Sequence, residues 1–245
     1  MKAVAIIPAG GAGKRLVTDL AKQYLLLQDI PVLVRTLGVF QQSTVVSEII
    51  VVVPEKDLLS VRKQFIEPYG LTKVSLVVPG GSERQDSVRH GLQRVVAPCD
   101  IVIVHDGVRP FVTREMIARV VNAAKEYGAA CAGVKAKDTI KETSDGDMVA
   151  KTMPRGRIWQ TQTPQAFRYE LLCRAHAQAE KDKFYGTDDA SLVERIGVKV
   201  CMIEGSFENI KITTPEDLVM AEALLKKSEG ECLQSRSGLG YDSHR

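Results

Sequence analysis

The chain has 245 residues, of which 44% are hydrophobic and 26% are charged. This composition supports a sizeable buried core and excludes the disordered and fibrous classes. The net charge of +3 comes from 33 basic and 30 acidic residues, a balance that argues against a nucleic-acid-binding protein. The apolar start of the chain stops at Pro8, too early for a signal peptide, and no stretch approaches a transmembrane span. We therefore expect a cytoplasmic protein that binds neither nucleic acid nor membrane.

The cysteines carry no metal or disulfide signal. Five of them, Cys99, Cys131, Cys173, Cys201 and Cys232, are scattered along the chain without a C-x-x-C pair. An odd, dispersed set in a chain without a secretion signal is typical of reduced thiols that fill core space. We assign them no chemistry.

The first strand and the loop after it form the strongest local signal. Residues 3–7 are apolar without interruption, which predicts a strand buried on both faces. Three glycines and the cations Lys14 and Arg15 follow, and such a loop suits an anion, most naturally a nucleotide phosphate. The spacing is not that of a P-loop, because Pro8 and Arg15 replace the required Gly and Ser or Thr. It is not a dinucleotide fingerprint either, because Leu16 replaces the last Gly.

The later predicted elements alternate between strands and helices. Strands are predicted at residues 48–54, 74–78, 101–105, 129–134 and 198–203. Helices are predicted at 31–40, 55–66, 86–95, from 113, at 169–181, from near 187 and from 214. This alternation predicts parallel βαβ units, whose ligands bind beyond the carboxyl ends of the strands. The polar loops after the first, third and fourth strands are therefore expected at one edge of the sheet.

One segment breaks the pattern. Residues 137–152 alternate around a turn at Asp145-Gly146, which is typical of an exposed β-hairpin. The hairpin is polar on both faces and buries little against its own domain, so we expect a protruding arm, about 135–158, that grips a second subunit. From residue 226 to about 237 the composition indicates a polar linker.

Seven motifs together identify a family resemblance. In chain order they are PAGGAGKR, KQY, GGSERQDSV, VHDGVRP, TQTPQAF, TDDAS and ENIKITTPEDL. Each is weak alone, but the ordered set resembles the 2-C-methyl-D-erythritol 4-phosphate cytidylyltransferase family over residues 1–225. The resemblance implies an α/β, Rossmann-like nucleotidyltransferase fold with a mostly parallel twisted sheet, helices on both faces, a protruding β-arm and a homodimer.

The same resemblance implies the reaction. Members of this family transfer CMP from CTP to 2-C-methyl-D-erythritol 4-phosphate and release pyrophosphate, within non-mevalonate isoprenoid synthesis, using Mg²⁺ or another divalent cation. The nucleophile is a phosphate oxygen that is already ionised near neutral pH, so no activated Ser, Cys or His and no general base is required. The chemistry calls instead for cations and a metal aimed at phosphate oxygens.

By resemblance, residues of the motifs receive roles. Arg15 and Lys22 would stabilise the transition state at the CTP phosphates, and Lys211 and Arg155 would position the acceptor phosphate, with Arg155 acting in the partner's site. Asp106 would bind both nucleotide and magnesium, because a lone carboxylate suits a cation that keeps most of its waters. The other nucleotide-binding residues would be Ala9, Gly10, Gly11, Gly13, Gly81, Ser82 and Ser87. The other acceptor-binding residues would be Gly107, Arg109, Thr139 and Thr163.

Simpler interpretations stay open for several of these residues. Lys22 could be a solvated lysine at a helix end, Lys211 an edge lysine on a strand, Asp106 a cap for its own turn, and Ser87 a helix N-cap. Ser82 stands where the family commonly has an acid, which affects how the base is read. His105 is assigned no role.

The end of the chain adds a further expectation. Residues 238–245, GLGYDSHR, resemble the first strand of 2-C-methyl-D-erythritol 2,4-cyclodiphosphate synthase, in which the Asp and His are zinc ligands. We therefore expect the first half of a bifunctional enzyme with a fused synthase domain. Two ligands alone should not hold zinc, so no zinc is expected in these 245 residues.

Two other functions remain open. A ribitol-5-phosphate cytidylyltransferase would use the same loop and Asp106, and only Arg155, Lys211 and the end of the chain argue against it. A catalytically silent nucleotide-binding module would be expected to lack a phosphate-facing cation or the carboxylate, and the sequence retains all of them.

Overall fold

A central sheet contains the strands that the apolar runs predicted. The computed structural model describes residues 2–10, 21–144 and 146–234, with the backbone alone for 228–234. In chain order the strands are β1 (Ala3–Pro8), β2 (Leu26–Leu27), β3 (Ile30–Pro31), β4 (Glu48–Val53), β5 (Val74–Pro79), β6 (Ile101–Val104), β7 (Ala129–Lys135), β8 (Lys141–Thr143), β9 (Val149–Thr152), β10 (Trp159–Arg168) and β11 (Cys201–Glu204). The helices are α1 (Val32–Gln42), α2 (Leu58–Val61), α3 (Arg84–Leu92), α4 (Arg114–Tyr127), α5 (Tyr169–Lys181), α6 (Asp189–Arg195) and α7 (Pro215–Gln234).

The topology confirms the mostly parallel α/β sheet. Within the described residues, seven strands lie in the order β11-β7-β10-β6-β1-β4-β5. Strand β10 pairs antiparallel with both β6 and β7, and the other neighbouring strands pair in parallel. The carboxyl ends of β1, β5 and β6 therefore lie at one edge, as predicted, and the amino-terminal part of β10 joins them there.

The sheet is covered on both faces, as predicted. Successive residues of a strand point to opposite faces, so Ala3, Ala5 and Ile7 pack into one core layer with α1, α2 and α4. Val4 and Ile6 pack into the other layer with α3, α5 and α6. β1 is almost completely buried, which explains why its sequence is apolar without interruption.

Two predicted elements differ in the structure. The helix expected over 55–66 is broken into a 3₁₀ turn, the short α2, a π-helical turn over Arg62–Ile66 and a second 3₁₀ turn. Pro68 lacks the N–H that would continue a regular ladder, and Gly70 ends the segment with a φ of 61°. The strand expected from 198 begins at Cys201, because the Val198 N–H bonds the Val193 carbonyl and so closes the end of α6.

The predicted arm is a β-hairpin of β8 and β9, and every residue of both strands is exposed. Asp145 of its predicted turn lies outside the described residues. The last helix begins as predicted, with the Asp217 N–H donating to Thr214. It continues to Gln234, so residues 226–234 of the expected linker are helical. No helix in the described ranges is long and apolar enough to span a bilayer.

Two helical glycines give a matched test of how tightly the layers pack. A Cβ at Gly91 on α3 would come within 2.6 Å of Ile6 Cγ2 and 3.1 Å of Val52 Cγ2, whereas a Cβ at Gly38 on α1 would meet nothing within 4 Å. We expect Gly91→Ala to destabilise the fold by about 1–3 kcal/mol through overpacking. Gly38→Ala should stabilise it by up to about 1 kcal/mol through helix propensity. Denaturant unfolding of both variants checks this, and equal effects would contradict the packing.

Candidate active site

The loops at the carboxyl edge of the sheet enclose a first pocket. It has a volume of about 360 Å³ and is referred to below as the glycine-loop pocket. The predicted nucleotide-binding residues of the described chain all line it, namely Ala9, Gly10, Gly81, Ser82, Ser87 and Asp106. Lys22 lines it as well. Gly11, Gly13 and Arg15 lie outside the described residues.

Asp106 is the centre of the site. It follows β6 directly, and its side chain is only 8% exposed. Its carboxylate meets three cations, with Arg84 Nε 3.2 Å from Oδ1, Arg109 Nε 3.3 Å from Oδ2 and Lys211 Nζ 3.0 Å from Oδ2. The structure therefore brings together the predicted residues Asp106, Arg109 and Lys211. Lys211 is paired with a buried carboxylate, which a solvated edge lysine would not be.

The cations fix the charge state of Asp106. Burial alone would raise the pKa of its carboxyl group, but the charges of Arg84, Lys211 and Arg109 outweigh burial and hold that pKa well below its usual range. Asp106 is therefore ionised at neutral pH. Three positive charges around one negative charge leave a local excess of positive charge, which attracts a polyanion.

A second pocket adjoins the first at Asp106. It has a volume of about 440 Å³, and it is referred to below as the β10 pocket because residues 161–163 and 165 of that strand line it. Arg84, Asp106 and Lys211 line both pockets. Arg109 and Thr163, both predicted to bind the acceptor, line the β10 pocket. The cation cluster thus separates two compartments that open onto the same carboxylate.

Arg84 is the principal residue that the sequence reasoning missed. It is the first residue of α3, and besides Asp106 it contacts Asp189, with Nη1 2.7 Å from Oδ2. Asp189 is 1% exposed and its Oδ1 lies 3.2 Å from His176 Nε2. Both Arg84 and Asp189 stand inside quoted motifs, GGSERQDSV and TDDAS. The sequence offered only one indication of Arg84, which is an arginine beside a predicted helix start. Its carboxylate partner Asp189 lies 105 positions away in the chain, so their pairing was not predictable.

Behind Asp106, two residues fix its backbone. The Thr163 hydroxyl accepts from the Asp106 N–H at 3.0 Å. His105 Nε2 donates to the Arg109 carbonyl, so its Nδ1 accepts from the Thr163 hydroxyl at 3.0 Å. The hydroxyl proton of Thr163 is therefore already used within the protein. Burial lowers the pKa of His105 to about 4, so this ring is neutral at pH 7.

The backbone of Gly107 is also engaged internally. Its N–H donates to the Pro8 carbonyl at 3.1 Å, and its carbonyl accepts from the Thr36 hydroxyl at 3.1 Å. Gly107 thus ties the end of β6 to β1 and α1.

The loop between β5 and α3 is shaped by two side chains. Ser87 Oγ donates to the Glu83 carbonyl and accepts from the Gly81 N–H at 3.2 Å. Asp86 accepts from Ser82 Oγ and from the Glu83 N–H, which closes a capping box with Glu83 as the N-cap. The N-cap interpretation of Ser87 is therefore wrong, because α3 begins at Arg84 and places Ser87 within its first turns.

Two predicted acceptor residues lie apart from this cluster. Thr139 and Arg155 are exposed, and neither is among the described residues that line the two pockets. Arg155 is at the base of the arm, where its Nη1 donates to the Lys137 carbonyl at 3.0 Å. Within one chain, the structure does not bring them to Asp106.

The donor set suits a metal that arrives with its own oxygen ligands. The described residues contain no group of three or more His, Cys, Asp or Glu that could hold a metal by itself. A bare cation at Asp106 would meet Arg84, Arg109 and Lys211 with only one carboxylate in compensation. Polyphosphate oxygens would complete the coordination and balance those cations, so the site fits Mg²⁺ carried by a nucleotide.

Comparisons with known proteins identify the family of the chain. The family model of 2-C-methyl-D-erythritol 4-phosphate cytidylyltransferase (IspD) matches residues 3–227. A protein of that name from Syntrophus aciditrophicus is 52% identical over 229 residues, covering 94% of this chain and 98% of the relative.

Solved structures are similar as well. The 4-diphosphocytidyl-2C-methyl-D-erythritol synthase of Anaerococcus prevotii aligns with a TM-score of 0.81 at 33% identity, covering 92% of this chain and 96% of its own. The bifunctional IspDF of Campylobacter jejuni shares the fold, with a TM-score of 0.74 at 23% identity over 89% of this chain and 54% of its own. The chain belongs to the 2-C-methyl-D-erythritol 4-phosphate cytidylyltransferase family.

Proposed function

We propose that this enzyme transfers CMP from CTP to 2-C-methyl-D-erythritol 4-phosphate, giving 4-diphosphocytidyl-2-C-methyl-D-erythritol and pyrophosphate. The observation that carries the proposal is the buried Asp106 with its three cations at the junction of two pockets. One pocket would hold the nucleotide and the other the phosphorylated acceptor, and family membership names the two substrates.

The reaction forms one bond and breaks one bond at the same phosphorus atom. An oxygen of the acceptor phosphate attacks the α-phosphorus of CTP in line with the leaving group, and the bond between that phosphorus and the bridging oxygen of pyrophosphate breaks. The attacking oxygen is already ionised, so no residue needs to remove a proton. Accordingly, His105 is neutral and fully engaged in structural hydrogen bonds.

The residues of the cluster would act mainly through charge. Lys22 in the glycine-loop pocket, with Arg15, would stabilise the triphosphate as its charge shifts toward pyrophosphate. Lys211 and Arg109 would hold the acceptor phosphate beside Asp106. When bound, Mg²⁺ would supply charge neutralisation at the phosphate oxygens, and Asp106 is the residue that would hold it.

One assay distinguishes the proposed function from its two alternatives. A ribitol-5-phosphate cytidylyltransferase would use the same nucleotide pocket and differ in the acceptor. A silent nucleotide-binding module would require loss of a phosphate-facing cation or of the carboxylate, yet Lys22, Asp106 and Lys211 all line the glycine-loop pocket.

Pyrophosphate release from each nucleoside triphosphate with magnesium, measured with either acceptor, tests the proposal. We expect release with CTP and 2-C-methyl-D-erythritol 4-phosphate alone. Preference for ribitol 5-phosphate would overturn the acceptor, and no release with any pair would favour the silent module.

We further propose a homodimer in which the arm of each subunit completes the partner's site. The support is that the arm is exposed along both strands and that Arg155 and Thr139 lie apart from the cluster in their own chain. An acceptor phosphate is stabilised by cations and hydrogen-bond donors, and in the dimer Arg155 and Thr139 would add one of each to the partner's site.

Mixing two inactive variants tests whether Arg155 acts across subunits. Arg155→Ala and Lys22→Ala should each be nearly inactive, but a mixed dimer would contain one site with both residues intact. We expect turnover to return after the variants are unfolded and refolded together, with each variant refolded alone as the control. No recovery, despite mixed dimers detected by mass spectrometry, would show that Arg155 acts within its own subunit or not at all.

We also propose that residues 1–225 form the transferase domain, that the segment to about 237 connects it to a second domain, and that 238–245 begin a cyclodiphosphate synthase. The support is the GLGYDSHR motif, which lies outside the described residues. An antibody to the transferase domain should detect a cellular polypeptide longer than 245 residues by a whole domain. A polypeptide of 245 residues would contradict the fusion.

A further inference from the structure

Arg84 occupies a distinctive place in the site, on the boundary between the two pockets. Its side chain is 29% exposed, and it lines both the glycine-loop pocket and the β10 pocket. Lys211 and Asp106 are the other described residues common to both linings. In the proposed reaction, the phosphorus that changes partners must lie where the two pockets meet. A guanidinium at this boundary can therefore contact the transferred phosphate.

The position of Arg84 depends on two carboxylates on opposite sides. Nε faces Asp106 at 3.2 Å, and Nη1 faces Asp189 at 2.7 Å. A guanidinium is a planar fork that can serve two acceptors at once, whereas a lysine ammonium is a compact point charge. The arrangement therefore requires an arginine rather than any cation.

Asp189 holds this arginine from a buried and fixed position. It begins α6, is 1% exposed, and its other oxygen lies 3.2 Å from Nε2 of the buried His176 on α5. A buried carboxylate without a cationic partner is costly, so Asp189 and Arg84 stabilise each other. Without the charge of Asp189, Arg84 would be drawn entirely toward Asp106, which already pairs with Arg109 and Lys211.

We propose that Arg84 is a phosphate-binding residue shared by the two pockets, and that Asp189, buttressed by His176, is the positioning residue that keeps Arg84 between them. The assignment of the bound group as the transferred phosphate rests on the proposed cytidylyltransferase function. The anion contact of Arg84 itself rests on the geometry alone.

A double-mutant cycle separates positioning from a general structural role. Asp189→Asn preserves shape and removes the charge, so we expect kcat to fall roughly 10- to 100-fold, the range seen when a group that orients a site residue is lost. Arg84→Lys should lower kcat by about 100-fold or more. If Asp189 acts through Arg84, adding Asp189→Asn to Arg84→Lys should change kcat by no more than about twofold.

The matched control is Asp182→Asn. Asp182 also pairs with an arginine, Arg195, at 3.0 Å, but on the surface and away from both pockets. This variant should keep wild-type kcat. Equal losses from Asp189→Asn in the wild-type and Arg84→Lys backgrounds would overturn the positioning role, as would a wild-type kcat for Asp189→Asn.

Binding of inorganic pyrophosphate, measured by calorimetry, tests Arg84 without turnover. At a temperature at which the variant is fully folded, we expect Arg84→Lys to weaken pyrophosphate binding by about 10-fold or more. Because it does not use Asp189→Asn, this measurement still tests the phosphate contact of Arg84 if that variant fails to fold. Pyrophosphate binding that is the same in Arg84→Lys and the wild type would overturn the inference. If the wild type binds pyrophosphate through Arg84 yet transfers CMP to no acceptor, the proposed function fails and the anion contact stands.

Discussion

A single buried carboxylate held by three cations organises this site. Asp106 is ionised because Arg84, Arg109 and Lys211 outweigh the cost of burying its charge. Removing one member of such a cluster leaves charge uncompensated, which typically costs about 3–5 kcal/mol in a buried pair. Elements α3, β6 and the segment before α7 therefore converge on Asp106, and in the function proposed above the same cations would bind phosphate.

The sheet topology explains why the cluster faces two compartments. Parallel strands β1, β5 and β6 bring Ala9 and Gly10, the loop between β5 and α3, and Asp106 to one edge of the sheet. The antiparallel strand β10, inserted between β6 and β7, brings Thr163 to the same edge from the opposite direction. One carboxylate can thus be shared by a donor and an acceptor, which suits transfer between two phosphates better than hydrolysis of one substrate.

The sequence predicted the parts that depend on local pattern. Apolar runs predicted the strands β1, β4 and β6, and the ordered motifs predicted Asp106 and Lys211 as site residues. Sequence reasoning failed where contacts between residues far apart in the chain determine the structure. β10 contains proline and glutamines and was not predicted as a strand, yet pairing on both edges makes it one. Arg84 and Asp189 lie in two of the quoted motifs but were assigned no role, because their ion pair forms only when α3 and α6 pack together.

We have proposed that the Asp106 cluster receives the CTP triphosphate together with its metal. The most direct measurement is a crystal structure with CTP and Mn²⁺, using anomalous scattering to locate the metal. We expect manganese bound to the Asp106 carboxylate and to triphosphate oxygens, with the nucleotide in the glycine-loop pocket and Arg84 and Lys22 against the phosphates. Manganese away from Asp106, or a triphosphate bound without these cations, would contradict it.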